Sequence, residues 1–374
     1  MQKDNAKDMT RRTFLKGAAA ATLAAGCATG PRQVQFAAPG EIKALLLHLG
    51  HNMWCDWFPD DIDLAALSAR YGEKDGFQLP DAELRSKDDL WRRVTDHAAA
   101  KGLNMIVVDL GEGLVYPSHP ELAIKGSWSP DRMRDEIRRL NALGLEVIPK
   151  LNFSTTHNGW LKQYRRMVST PVYYRVCEEI IADVAEIFGT PRFLHIGCDE
   201  ERASLQGSVP RYFFVCERRH EFWMRDFVHL VRTCEKHGMR AWTWSDYGWS
   251  HPDFYSQCPK SVLHSNWFYD SDCGGFEISE SKTNGRKQLA AFYDLEKEGF
   301  DQIPCGTNWV GWKRKKLGIG ADDVIGKLVK VCRRDISPNH LKGFLMAPWA
   351  SCDTPEHADF NIKGIDLFAE ALKG

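Results

Sequence analysis

Arg192-Phe193-Leu194-His195-Ile196-Gly197-Cys198-Asp199-Glu200-Glu201 reads as a buried strand that ends in a run of carboxylates. Seven other short apolar runs share its character: Ala44–Leu49, Met105–Leu110, Leu145–Leu151, Arg240–Trp244, Ser261–Trp267, Gln302–Thr307 and Gly343–Trp349. They are nearly continuous in apolar residues, as strands covered on both faces should be. Eight such strands, separated by helical segments, predict a (β/α)8 TIM barrel. In that architecture the C-terminal strand ends form the working face, so the carboxylates after Gly197 fall where chemistry is expected.

The spacers support the count. Residues about 84–101 carry Leu90, Val94 and Ala98 at helical spacing, and about 171–188 carry Ile180, Ile181 and Val184. Ser129-Pro130 and Thr170-Pro171 each read as an N-cap followed by Pro in the first turn. Further helices are predicted at about 130–143, 218–237, 284–298, 321–334 and 358–372, several of them stopping at a Gly. The stretch from Trp244 to Ser261 is short for a full crossover, so the fifth helix is expected to be irregular or missing. A doubly wound two-domain fold is the main rival, but no Gly-rich dinucleotide loop supports it. The expected organisation is a single barrel over 40–374 behind an N-terminal segment of about thirty residues.

That N-terminal segment has its own logic. Thr10-Arg11-Arg12-Thr13-Phe14-Leu15-Lys16 precedes an Ala-rich apolar stretch, Gly17 to Gly26, too short to span a bilayer. It resembles a twin-arginine export signal, which implies the twin-arginine export machinery as a partner and a destination in the periplasm or cell envelope. Cys27 follows Leu23-Ala24-Ala25-Gly26, similar to a lipoprotein processing site. Lipidation at Cys27 and ordinary signal cleavage stand as alternatives, and a lipid anchor would be the one membrane contact. The ten later cysteines show no zinc-ligand spacing, and those at 177, 216, 234 and 332 are expected as small buried hydrophobes in helices. A net charge of −1 gives no electrostatic case for nucleic acid.

The strand ends are rich in polar and aromatic groups: His48, His51, Asn52 and Trp54 after the first, Asp109 and Glu112 after the second, Asn152 and His157 after the third. Trp244 and Asp246, Trp267 and Tyr269, Asn308 and Trp309, then Trp349 and Asp353 complete the ring. A flat indole matches the apolar face of a pyranose, and thirteen Trp in this chain suggest a carbohydrate pocket. Asp199 and Glu200, adjacent in sequence, would point in different directions and take separate roles: one carboxylate ionised, its neighbour protonated.

The His195-Ile196-Gly197-Cys198-Asp199-Glu200 segment resembles the His-x-Gly-Gly-Asp-Glu signature of family-20 glycoside hydrolases, the β-N-acetylhexosaminidases, with Cys198 in place of the second Gly. The resemblance runs over roughly residues 100–350. It implies that Glu200 is the general acid and that Asp199 orients the acetamido group of a glycan substrate. It places His157 as support for the acid, and Trp244, Asp246, Trp267, Tyr269 and Trp349 around the sugar. No metal or cofactor is implied.

Two departures stand out. Pro149-Lys150-Leu151-Asn152 replaces the family's Pro-Glu-Ile-Asp, so either the acid is supported differently or Lys150 supplies a new ion pair. No Arg follows the first strand to grip sugar hydroxyls. His195 is expected as an orienting residue, and Arg218-Arg219-His220 as a solvated helix face. Three alternatives remain open: a glycosidase for sugars without an acetamido group, a non-catalytic glycan-binding lipoprotein, and a metal-dependent isomerase barrel using His51, Asp109, Glu112 and Asp246.

Overall fold

The computed structural model describes residues 40–59, 61–75, 79–208, 212–269, 284–309 and 324–374. The twin-arginine segment and Cys27 lie outside the described residues. One compact unit runs from Phe36 to Gly374. Its eight strands are β1 (Ile42–His48), β2 (Met105–Asp109), β3 (Glu146–Lys150), β4 (Phe193–His195), β5 (Arg240–Trp244), β6 (Leu263–Ser265), β7 (Cys305–Gly306) and β8 (Gly343–Met346). All ladder pairings are parallel, in the order β6-β5-β4-β3-β2-β1-β8-β7. Two isolated parallel bridges, His264–Gln302 and Trp267–Cys305, join β6 to β7 and bring the sheet close to a full barrel.

The helices are α1 (Leu64–Asp75), α2 (Asp88–Ala100), α3 (Pro130–Ala142), α4 (Pro171–Phe188), α5 (Ala203–Ser208), α6 (His220–Lys236), α7 (Asp253–Gln257), α8 (Asn284–Lys297), α9 (Val324–Asp335) and α10 (Pro355–Ala371). The expected caps form: Ser129 Oγ accepts the Arg132 N–H, and Thr170 Oγ1 accepts the Tyr173 N–H. The fifth crossover is reduced to a 3-10 turn, Asp246–Trp249, and the five-residue α7. The sequence pattern does not reveal α1. The predicted strands at 261–267 and 302–307 shorten to three and two residues, because isolated bridges replace a continuous ladder there.

Two apolar layers hold the fold. One lies between the strands and the ring of helices, with Leu45, Leu47, Ile106, Val108, Ile180, Ile181 and Leu230 among its members. The other fills the barrel with the alternate residues: Ala44 and Leu46, Met105 and Val107, Ile148, Phe193, Trp242 and Leu345. The strand alternation continues this inner row upward to His48, Asp109, Lys150, His195, Trp244 and Trp349. The interior therefore changes from aliphatic to polar and aromatic at the C-terminal mouth. No helix among the described residues is long and apolar enough to cross a membrane.

Candidate active site

β4 ends early because the backbone turns left-handed at Gly197 (φ 69), Cys198 (φ 71) and again at Glu200 (φ 55). A Cβ at Gly197 would lie 2.3 Å from Asn152 Oδ1, so this turn accepts only glycine there. The turn aims the two carboxylates apart. Asp199 is buried, whereas the Glu200 side chain keeps about a third of its surface exposed (32%). Non-glycine residues in this backbone region carry strain, which tends to persist where function holds it.

Asp199 Oδ1 accepts a hydrogen bond from Asn152 Nδ2 at 2.7 Å. Asn152 is itself pinned, its Oδ1 accepting the N–H groups of Ser154 and Cys198. The His157 ring sits between the carboxylates, Nδ1 3.3 Å from Asp199 Oδ2 and Nε2 3.5 Å from Glu200 Oε2. Nδ1 is close enough for an ion pair but off the hydrogen-bonding direction. Burial would raise the Asp199 carboxyl, but the His157 and Lys150 charges and the Asn152 amide outweigh it and hold it well below the usual range. His157 moves the other way: burial works against its charge, and the two carboxylates win and raise it.

Asp246 stands behind this pair. Its Oδ2 accepts the Glu200 backbone N–H at 2.8 Å, and its buried Oδ1 has no hydrogen-bond partner among the described residues. Burial first, then the Asp199 and Glu200 charges, push its carboxyl up to about 8. Two neighbouring carboxylates are thus driven in opposite directions, the environment expected of an acid–base site.

A cleft of about 680 Å3 opens over these groups, lined by His157, Asp199, Glu200, Trp244, Trp267, Tyr269 and Trp349. Of the eight residues that the resemblance places in the site, only Asp246 stays off the cleft wall; of the other strand-end groups His51, Trp54 and Trp309 line it, whereas His48, Asn52, Asp109, Glu112, Asn152, Asn308 and Asp353 do not. Trp267 stacks on Tyr269 with ring centres 4.9 Å apart and is crossed by Trp249 at 4.4 Å. The Trp349 indole N–H donates to the Tyr269 hydroxyl at 3.1 Å, and Trp244 lies 5.9 Å from Trp349.

Beyond the residues that the resemblance places there, the structure brings Trp54, expected only as a strand-end group, and Arg85, which sequence reasoning missed. Trp54 packs edge-on to His157 and Trp349 and lines the cleft. Arg85, paired with Asp81, also lines it. This supplies a guanidinium where none follows the first strand directly. It comes from the long connection before α2, and no local pattern marks it. Arg218 is a correction: it is buried, not solvated. Its guanidinium grips both oxygens of Glu201 and one of Asp226, tying the carboxylate run to the start of α6. Glu201 needs a buried cation because its side chain is fully enclosed. Cys216 is likewise half-buried in a loop rather than in a helix.

Lys150 does form an ion pair, with Asp109, and both are buried. Glu112 Oε1 accepts the His51 and Asn52 N–H groups, fixing the loop after β1. Chain groups therefore already engage Asp109 and Glu112, two members of the four-residue metal set. Among the described residues, the group close enough to share a cation is His157, Asp199 and Glu200, with ligand atoms within 4.8 Å. His195 Nδ1 accepts the Gly197 N–H at 3.1 Å.

Comparison with known proteins agrees with the fold. A GH20 β-N-acetylhexosaminidase from Streptomyces coelicolor is similar at 13% identity and TM-score 0.58, over 88% of this chain and 65% of that one. A β-N-acetylhexosaminidase from Bacteroides fragilis is similar at 12% identity and TM-score 0.56, over 86% and 65%. A GH20 exo-β-N-acetylglucosaminidase from Vibrio harveyi, solved with N-acetylglucosamine, is similar at 15% identity and TM-score 0.56, over 88% and 54%. The chain thus spans less than two thirds of the length of each. No curated protein sequence matches it significantly. The twin-arginine translocation pathway signal family matches residues 8–26, which supports export from the cytoplasm.

Proposed function

We propose that the protein is an exported glycoside hydrolase that removes terminal β-linked N-acetylhexosamine with retention, using the substrate's acetamido group as nucleophile. The observation that carries this reading is the Asp199–His157–Glu200 cluster at the end of β4, facing an aromatic cleft. Families with a substrate nucleophile depart from the usual two-carboxylate scheme.

Glu200, the more exposed carboxyl, protonates the glycosidic oxygen. The acetamido oxygen attacks the anomeric carbon as that bond breaks. Asp199, held ionised, accepts the acetamido N–H and stabilises the positive oxazolinium ring. Glu200, now a carboxylate, takes a proton from the water that opens the ring, which restores the acid. The Trp349 N–H donates to the Tyr269 hydroxyl, so that hydroxyl's own proton is directed elsewhere: toward Cys305, or toward a substrate's acetamido oxygen. Trp244, Trp267 and Trp349 exclude water and strengthen these electrostatics. The raised carboxyl of Asp246 favours its protonated form at neutral pH. Because Oδ2 accepts the Glu200 N–H, its proton sits on Oδ1. Arg85 and Asp81 offer a donor and an acceptor to the sugar hydroxyls. Export by the twin-arginine route delivers the enzyme to the periplasm or envelope, with Cys27 as the candidate lipid attachment.

Hydrolysis of an aryl β-N-acetylglucosaminide, beside the matching β-glucoside, tests the reading. Cleavage of the acetamido sugar alone is expected, with Glu200→Gln losing a factor on the order of 10²–10⁴, as for a general acid. If the folded wild-type protein cleaves neither sugar, the reading fails.

A further inference from the structure

The registers set four titratable residues side by side at the top of β1 to β4: His48 opposite Asp109, Asp109 opposite Lys150, and Lys150 opposite His195. Below them the same inner rows are apolar, with Leu46, Val107, Ile148 and Phe193. Lys150 is wholly buried, and a buried ammonium persists only where it is paired. Its Nζ donates to Asp109, whose Oδ2 also lies 3.5 Å from His48 Nδ1. Two residues on along the same chain, Asn152 holds Asp199. The cation therefore sits beneath the anion that the proposed reaction needs.

We propose that Lys150 is a positioning residue of this site: its buried charge keeps Asp199 an anion, and its grip on Asp109 leaves His157 to the Asp199–Glu200 pair. This inference rests on the hydrolase reading above. Lys150 touches no substrate, so it is not a catalytic residue. The charged and titratable groups facing Asp199 are His157 and Lys150 from the β3 side, Glu200 from its own turn, Asp246 from after β5, and Asp109 and His195, which flank Lys150; the Asp109 carboxylate opposes the Asp199 charge. Among these, His157 and Lys150 are the cations that favour its charge. Asp109 feels the same ammonium, yet burial still keeps its carboxyl above the ordinary value.

The test compares wild type, Lys150→Met and the doubly neutral Lys150→Met/Asp109→Asn across pH on the aryl β-N-acetylglucosaminide. The double variant removes the stranded Asp109 charge and so protects folding. Both variants are expected to lose about tenfold or more in kcat with KM nearly unchanged. In Lys150→Met the acid limb of kcat/KM should rise by about one unit, the usual size of a single charge effect, and in the double variant, which also removes the opposing Asp109 charge, by less. A double variant with wild-type kcat and wild-type acid limb would overturn the proposal, leaving Lys150 as a mere neutraliser of Asp109. The Asp199 carboxyl ¹³C shift, titrated in wild type and double variant, reads the same quantity without turnover. A midpoint that rises in the double variant supports the role even if no glycoside is cleaved. An unmoved midpoint overturns it whatever the activity, so the two readings fail separately.

Discussion

The mouth of the barrel is built from two unlike halves. β1 to β4 bring His48, Asp109, Lys150, His195, Asp199 and Glu200, every one polar. β5 to β8 bring Trp244, Trp267, Tyr269 and Trp349 at the same level. The first half gathers charges where water is scarce and drives neighbouring carboxylates apart in acidity. The second offers flat apolar faces and few charges. On the proposed reading, one half adjusts the proton chemistry and the other holds the sugar. Kinetics can separate them: damage to the charged half should appear in kcat and pH dependence, damage to the aromatic half in KM.

The largest expected effect lies in the charged half. Asp199→Asn keeps the shape and removes the anion, and kcat for the aryl β-N-acetylglucosaminide should fall by about 10²–10³. KM should change little, because the acetamido group still meets an amide of the same size. Steady-state kinetics decide this, and a rise in KM equal to the fall in kcat would erase the division between the halves. Trp267→Ala attacks the other half. Losing a ring that stacks on Tyr269 and meets Trp249 edge-on should raise KM about tenfold, or about 1.4 kcal/mol of binding, with a smaller effect on kcat.

Asp246 belongs by position to the aromatic half and by chemistry to the charged one. Its carboxyl rises from 3.8 to about 8 on folding, so the native state holds a proton that the unfolded chain gives up above its own, lower value. The stability it contributes is complete at low pH and is lost as pH rises from about 4 through about 8. Asp246→Asn, which keeps an acceptor for the Glu200 N–H, should flatten that decline. Thermal melts of both proteins between pH 4 and pH 9 should diverge in this direction, and the alkaline limb of kcat/KM near pH 8 should disappear in the variant. Parallel melting curves would mean that Asp246 titrates normally.

How much of this was legible from the sequence divides along the same line. The barrel was readable because each strand is short and apolar and most are separated by an amphipathic helix, some of them capped, and such signals are local. The aromatic ring was readable for a similar reason, since Trp244, Trp267 and Trp349 each end a strand or lie within three residues of its end. What escaped depends on long-range partners. Arg218 looks like a surface residue until Glu201 and Asp226 are found around it. Arg85 reaches the cleft from a connection with no strand beside it. The division of labour between Lys150 and Asp109 follows from strand register, which one sequence does not state.

The smallest expected effect lies at the joint between the halves. The Gly197 carbonyl accepts the Trp244 N–H and the Thr243 hydroxyl, so the left-handed turn after β4 also carries the first aromatic strand. Gly197 and Cys198 share nearly the same positive φ, but only at 197 does a Cβ collide with Asn152. Cys198 has room for its side chain and, like Glu200, carries backbone strain, about 1–2 kcal/mol for a non-glycine residue. Cys198→Gly removes that strain. It also frees the unfolded chain, at a cost of roughly 0.5–1 kcal/mol, and gives up a buried thiol that donates to the Ile196 carbonyl. These terms oppose one another, so the melting free energy should change by less than about 1 kcal/mol and kcat should stay near wild type. Calorimetry with matched kinetics checks both. A loss above about 2 kcal/mol would show that the thiol supports the turn, as a buried hydrogen-bonded group can, and that strain at this joint is the lesser influence.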